Sequence, residues 1–191
     1  MSPEQKILNE VGDYYTKKIN EYGISPKGVD WNSEESQQLR FQILMQLIEK
    51  DNSRFSLLDY GCGYGALLSF IQNKYPAMEY VGYDISDAML QEAKNIVWSL
   101  PKVTWLNSLG TEKCDYIISS GIFNVKQDQT DQDWNNYIET TLGDINSRSI
   151  KGFSFNMLTS YSDAAYKKNH LYYASPEYYF KFCKEDRKSV V

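Results

Sequence analysis

The chain of 191 residues has one histidine, His170, and only three cysteines, Cys62, Cys114 and Cys183. The cysteines are widely spaced and odd in number, which excludes a metal-binding cysteine pattern and a disulfide framework and points to reduced thiols in a cytoplasmic setting. No clustered set of Asp, Glu and His suggests a metal centre. No apolar run reaches bilayer-spanning length and no segment has the form of a signal peptide, so a soluble protein is expected. Positive charge is in deficit: 20 Lys and Arg stand against 25 Asp and Glu, a net charge of -5. That balance counts against a nucleic-acid partner held mainly through phosphates. Repeats, low-complexity tracts and a second domain are missing too. The proportions of hydrophobic and charged residues are ordinary for one globular domain with a real core. Tyrosine is the exception: its 16 copies suit half-buried positions with the hydroxyl at a wet surface or pocket.

The most informative stretch is Leu57 to Leu68, LLDYGCGYGALL. An apolar run ends in the acid Asp59, glycines alternate at Gly61, Gly63 and Gly65, and a helix-forming apolar run follows. This reads as a buried strand, a tight glycine turn and a helix whose amide-rich start faces a ligand at the carboxyl end of a sheet. Asp84 lies 23 residues after Gly61, at the end of a second strand, Tyr80 to Asp84. A carboxylate there can accept hydrogen bonds from two ribose hydroxyls.

Upstream, Ser2-Pro3-Glu4-Gln5 has the form of a helix start, and apolar residues from Ile7 to Ile19 recur at helical spacing until Gly23. A second helix is expected from Ser33, with Leu39, Ile43, Leu44, Leu47 and Ile48 on its apolar face. Downstream, Met89 to Val97 trace a helix, Val103 to Leu106 a strand, Asp115 to Ser119 a strand, Trp134 to Ile145 a helix, and Gly152 to Leu158 a fifth strand. Strands alternating with helices imply βαβ units and a mainly parallel sheet. Residues 1–50 would form a helical cap, 51–160 the ligand-binding core, and 161–191 a carboxyl-terminal segment, all in one domain.

At this point the sequence resembles the class I S-adenosylmethionine-dependent methyltransferases. Asp59-Tyr60-Gly61-Cys62-Gly63-Tyr64-Gly65 is similar to that family's first motif and Val81-Gly82-Tyr83-Asp84-Ile85-Ser86 to its second; the resemblance runs from about Ser33 to Leu158. It implies a Rossmann-like α/β fold with S-adenosyl-L-methionine as cofactor and S-adenosyl-L-homocysteine as product. It places the glycine turn (Asp59, Tyr60, Gly61, Cys62, Gly63, Gly65) along the methionine portion and Asp84 on the ribose. It sets Ile85 on the adenine with Met89 nearby, Asn107 and Ser108 at the adenine amine, and Ser119, Ser120 and Gly121 beside the sulfur. Asn107 replaces the commoner aspartate. GVDWNSEESQQLRF, SSGIFNVK and KGFSFNMLTSYS are similar to a bacterial methyltransferase group of uncharacterised substrate. In that setting Trp31 and Arg40 help close the site, Arg40 pairing the methionine carboxylate; otherwise Arg40 is a surface residue.

Two other readings stay open. Gly61, Gly63 and Ala66 also satisfy the looser G-x-G-x-x-A form of a nicotinamide dinucleotide oxidoreductase, although Asp59 would repel a pyrophosphate. A cofactor-binding protein without catalysis is the other, since no catalytic group is evident. His170 can be a base or a surface residue, and Tyr161, Tyr166, Tyr172 and Tyr173 can line an acceptor pocket or cover the sheet edge. The fourth strand ends in Ser-Gly-Ile-Phe-Asn, unlike the Asn/Asp-Pro-Pro-aromatic pattern of enzymes acting on nucleobase or glutamine amides, which leaves a small-molecule acceptor. The family's last two strands, an antiparallel pair, have no counterpart in this sequence after the helix expected at Ser175 to Phe182. A sheet of about five strands with one open edge is expected, a route to a homodimer.

Overall fold

The computed structural model describes residues 3–185. Helix α1 (Pro3–Tyr22) buries Ile7, Val11 and Ile19 and ends at Gly23, whose φ of 61° closes the last turn with a bond from its N–H to the Ile19 carbonyl. Ser2, read as its cap, lies outside the described residues. A 3-10 turn (Pro26–Val29) leads to α2 (Glu34–Leu44), capped as expected by Ser33, whose Oγ accepts the Ser36 N–H at 3.2 Å.

The buried face of α2 is only partly the expected one: Leu44 and Ile48 are buried as expected. Leu39 and Ile43 are 54% and 57% exposed, and the stripe that packs inward is Gln37, Phe41 and Leu44. Phe41 turns toward Phe70, ring centroids 5.8 Å apart, and a 3-10 turn (Met45–Leu47) then redirects the chain so that Met45 and Ile48 join the core.

Five parallel strands follow: β1 (Ser56–Tyr60), β2 (Glu79–Tyr83), β3 (Val103–Leu106), β4 (Cys114–Ser119) and β5 (Ser149–Phe155), in spatial order β3-β2-β1-β4-β5. Helices α3 (Ala66–Ile71), α4 (Asp87–Asn95) and α5 (Asp131–Arg148) connect them, and α6 (Pro176–Glu185) closes the described chain. Pairs of adjacent residues divide between the two faces of the sheet. Leu57 joins Phe41, Leu67, Ile71 and Ile118 on one side, while Leu58 joins Ile117, Trp134, Ile138 and Ile145 on the other. Trp134, fully buried, donates its indole N–H to the Phe123 carbonyl at 3.0 Å, which removes the cost of burying that donor.

Strand order reverses between β1 and β4, so the crevice above their carboxyl ends is a topological switch point, where open α/β sheets bind ligands. Two boundaries differ from expectation. Helix α4 stops at Asn95, leaving Val97 95% exposed, because the Trp98 indole N–H takes the Ala93 carbonyl. Strand β5 begins at Ser149 and releases 156–158, whose polar groups serve the neighbouring loop. Strand β5 pairs only with β4, and among the described residues no sixth strand covers its outer edge. No described helix is long and apolar enough to cross a membrane.

Candidate functional site

Gly61, Gly63 and Gly65 all have positive φ (82°, 53° and 85°), the region in which a Cβ is strained. The turn they form folds over the end of β2. The N–H groups of Gly61 and Cys62 both donate to the Tyr83 carbonyl, at 2.8 and 2.9 Å, and that of Gly63 to Asp84 Oδ2 at 2.8 Å. The Gly65 N–H takes the Cys62 carbonyl at 3.0 Å. These four turn amides therefore have protein partners, and α3, which follows at Ala66, is only six residues long. The turn is aimed at the acid, as the spacing implied.

Asp84 also accepts the Ser86 N–H through Oδ1 at 2.9 Å, which fixes the carboxylate at the start of α4. Burial pushes its pKa up to about 6 despite these two backbone bonds. Asp59, 2% exposed, sits below the turn and accepts the Tyr80 hydroxyl at 2.6 Å. Burial pushes it to about 7; the Tyr80 bond opposes that shift and the charge of Asp84 adds to it. Two carboxylates thus share one wall with no cation bonded to either among the described residues.

That wall belongs to a cavity of about 570 Å3, within the range of small-molecule sites. Of the residues singled out in the sequence, Trp31, Arg40, Asp59, Tyr60, Gly61, Cys62, Gly63, Asp84, Ile85, Met89 and Ser120 line it. Gly65 and Ser119 do not. The Gly65 Cα faces the rings of Trp98 and Trp105, and Ser119 is buried with its Oγ on the Tyr60 carbonyl at 3.1 Å, so both hold the turn from behind. Asn107 and Ser108 line a second, adjoining cavity that shares Leu8, Tyr60, Tyr83 and Ile85 with the first. There the Asn107 side-chain amide donates to Asp87 Oδ1 at 3.1 Å.

Arg40 is no ordinary surface residue. Its guanidinium stacks on Trp31, 4.7 Å from the ring centroid, donates to the Ser36 carbonyl and Oγ at 2.7 Å each, and has no carboxylate partner among the described residues. Burial lowers its pKa from an already high value, and it stays charged. Trp31 in turn lies against the Cα of Gly121, leaving a Cβ there 3.0 Å from its ring.

Sequence reasoning anticipated a helical cap from residues 1–50 and a wall at Ser120 and Gly121, but it did not single out Leu8, Val11, Ile122 or Asn124 as wall residues. Ile122 lies over Gly61, and a Cβ on Gly61 would fall 2.2 Å from Ile122 Cγ2. The two Phe-Asn pairs act reciprocally. Asn156, after β5, accepts the Gly121 N–H at 2.7 Å, and Asn124, after β4, accepts the Leu158 N–H at 3.1 Å. The repeat of Phe-Asn behind neighbouring strands was the available signal. His170 lies in neither cavity wall; its carbonyl accepts the N–H groups of Lys126 and Gln127. Tyr166 and Tyr173 line the main cavity, whereas Tyr161 is 73% exposed and bonded to Glu177, and Tyr172 is buried and bonded to Asn135. Among the described residues, no group of three His, Cys, Asp or Glu side chains is placed to hold a metal.

A family model described as "Methyltransferase domain" matches residues 58–141, the span from β1 into α5. A relative from Mycobacterium tuberculosis (strain ATCC 25618 / H37Rv), "Putative methyltransferase Rv1506c", is 40% identical over 131 residues, 68% of this chain and 79% of the relative. Magnesium protoporphyrin IX methyltransferase from Synechocystis PCC 6803, solved with bound SAH, superposes with a TM-score of 0.60 at 16% identity, over 78% of this chain and 72% of that one. The DhpI-SAM-HEP complex gives 0.61 at 13% identity, over 95% and 89%. At these identities the likeness of the two solved structures is one of fold.

Proposed function

The chain belongs to the class I S-adenosylmethionine-dependent methyltransferase family, and on that premise we propose that it methylates a small molecule directly, donor and acceptor meeting above the ends of β1 and β4. The observation that carries this reading is a glycine turn whose amides are already bonded to protein, set beside the buried carboxylate of Asp59. Such a wall suits a cation, and its carboxylates would repel a pyrophosphate, which weighs against a nicotinamide dinucleotide. When bound, S-adenosylmethionine supplies an already activated methyl group on a sulfonium.

The chain's own residues bind and orient. Each Asp84 oxygen accepts one backbone N–H and keeps acceptor capacity for a ribose hydroxyl. Ile85 would cover the adenine, with Asn107 and Ser108 reached through the adjoining cavity, while Arg40 and Trp31 close over the methionine carboxylate. Met89 would lie near the adenine, and Tyr60, Cys62 and Gly63 would line the methionine portion. Holding the acceptor in line with the bond to be broken can contribute roughly 7–11 kcal/mol at best. We place the chain in the cytoplasm on the strength of its three widely spaced, buried cysteines. The unpaired edge of β5 is where a second copy would join.

Calorimetry with S-adenosylmethionine, S-adenosylhomocysteine and NAD tests the reading: the first two should bind, and selective binding of NAD would reverse it. The carboxylates add a pH signature. Asp59 and Asp84 titrate near 7 and 6, both raised. Protonation therefore stabilises the free protein, and this stability is lost as pH rises from about 4 to 7. Deprotonated, both attract a cation. The affinity ratio of S-adenosylmethionine over the uncharged-sulfur product should rise between pH 5 and 8, and a flat ratio would remove Asp59 from contact with the charge. Arg40→Ala should weaken both ligands together by roughly 1 kcal/mol, the worth of a charge-assisted bond discounted for exposure; unchanged titrations would return Arg40 to a structural role.

A further inference from the structure

Helix α1 carries a polar cluster that the wall around the glycine turn does not use. Asp30, which ends the 3-10 turn (Pro26–Val29), has a φ of 63°, a left-handed conformation that a residue with a side chain enters at a cost. Its carboxylate is held at both oxygens. The Lys18 ammonium lies 2.9 Å from Oδ1, and Oδ2 accepts the Tyr14 hydroxyl at 2.9 Å. These two partners stand one helical turn apart on α1. Burial, then the bond to Asp30, pushes the Tyr14 pKa up to about 12, so Tyr14 stays the donor. The turn is also docked closely on the end of α1, since a Cβ on Gly28 would fall 2.3 Å from the Gly23 carbonyl oxygen.

Asp30 is followed directly by Trp31, whose N–H bonds to the Pro26 carbonyl at 2.8 Å and whose ring meets both the Cα of Gly121 and the Arg40 guanidinium. Apart from that ring, Arg40 is held only by Ser36 on its own helix, so where Trp31 stands decides where the guanidinium points. The same α1 reaches the far end of the site. Thr16 Oγ1 lies 2.8 Å from Ser86 Oγ, and the Ser86 N–H holds Asp84. One helix therefore spans from the carboxylate of Asp84 to the strap that carries Trp31. Resting on the methyl-transfer reading, we propose that Tyr14, Lys18 and Asp30 are positioning residues, a clamp that sets Trp31 and through it Arg40 at the distance from Asp84 that an adenosyl amino acid requires.

The clamp acts on specificity more than on stability. Its side chains are partly exposed, Lys18 25% and Asp30 26%, and ion pairs of that kind hold a fold together weakly. Their geometric consequence is larger, because a guanidinium that is free to swing loses the preorganisation that a bond to a carboxylate needs. The site thereby distinguishes ligands that carry the amino-acid tail from thioadenosines that lack it.

The experiment compares, on the full chain, the affinities of S-adenosylhomocysteine and of methylthioadenosine, which keeps the adenosine and the thioether without the tail. Tyr14→Phe combined with Lys18→Met should weaken S-adenosylhomocysteine by about three- to fivefold, up to the whole contribution of Arg40, and leave methylthioadenosine within about twofold. In an Arg40→Ala background the same pair should cost nothing further, because the group it positions is gone. Asp30→Gly suits the left-handed backbone and removes the carboxylate, so it should change the ratio in the same way. Asp30→Asn keeps one acceptor oxygen and should restore part of the ratio; if the paired variant does not fold, these two substitutions decide. Equal weakening of both ligands would reduce the cluster to a structural prop, and an unchanged ratio would detach it from Arg40. Losses that add to those of Arg40→Ala would put Lys18 on the ligand directly. Each of these overturns the proposal with the cofactor reading intact. Wild-type protein that binds neither ligand would instead sink the methyl-transfer reading, and the clamp with it.

Discussion

Asp84→Ala is expected to weaken S-adenosylmethionine binding by about 5- to 150-fold, since a charged acceptor of two ribose hydroxyls is worth roughly 1–3 kcal/mol. The same carboxylate also takes the N–H groups of Gly63 and Ser86, so its removal loosens the glycine turn and the start of α4 together. Two measurements separate these effects. Asp84→Asn keeps one acceptor oxygen and should recover part of the stability but little of the affinity. The stability deficit of the alanine variant should also shrink as pH rises. The native carboxylate titrates near 6, above its unfolded value, so in the intact protein its contribution is largest below about pH 4 and fades as pH rises through 6. A folded alanine variant with undiminished affinity would take Asp84 out of the site.

Much of the architecture was legible because it rests on short-range patterns. LLDYG is a strand ending at a turn that only glycine enters without strain, and VGYD repeats the strand one βαβ unit later, so Asp84 arrives beside Gly63 as the spacing implied. The face of α2 was legible only in part, at Leu44 and Ile48. Leu39 and Ile43 obey the helical period, but Phe41 has the partner, Phe70 across the groove, and tertiary packing outweighed the count of apolar residues. The destination of the turn amides was hidden for another reason. A glycine motif shows that the backbone can bend, and it does not show that the Tyr83 carbonyl will stand where a phosphate might. Loop-to-loop contacts are the least visible of all, since Asn124 and Asn156 lie 32 residues apart and find each other only after β4 and β5 pair.

Gly61→Ala is expected to cost about 2–5 kcal/mol of stability. A residue with a Cβ held at a φ of 82° gives up roughly 1–2 kcal/mol, and the new methyl lands 2.2 Å from Ile122 Cγ2, adding an overpacking term of about 1–3 kcal/mol. Ile122 has one direction in which to yield, because Gly61 closes one side of it and the cavity is open on another. The displaced side chain would therefore enter the space assigned to donor and acceptor, and affinity for S-adenosylmethionine should fall together with stability. Ile122→Ala removes the obstacle. In the double variant the overpacking term should vanish and the backbone term remain, a coupling of about 1–3 kcal/mol in a double-mutant cycle, and cofactor affinity should return toward that of Ile122→Ala alone. Additive stabilities would mean that Ile122 does not bear on Gly61, and affinity left low in the double variant would place the damage in the turn itself rather than in the cavity.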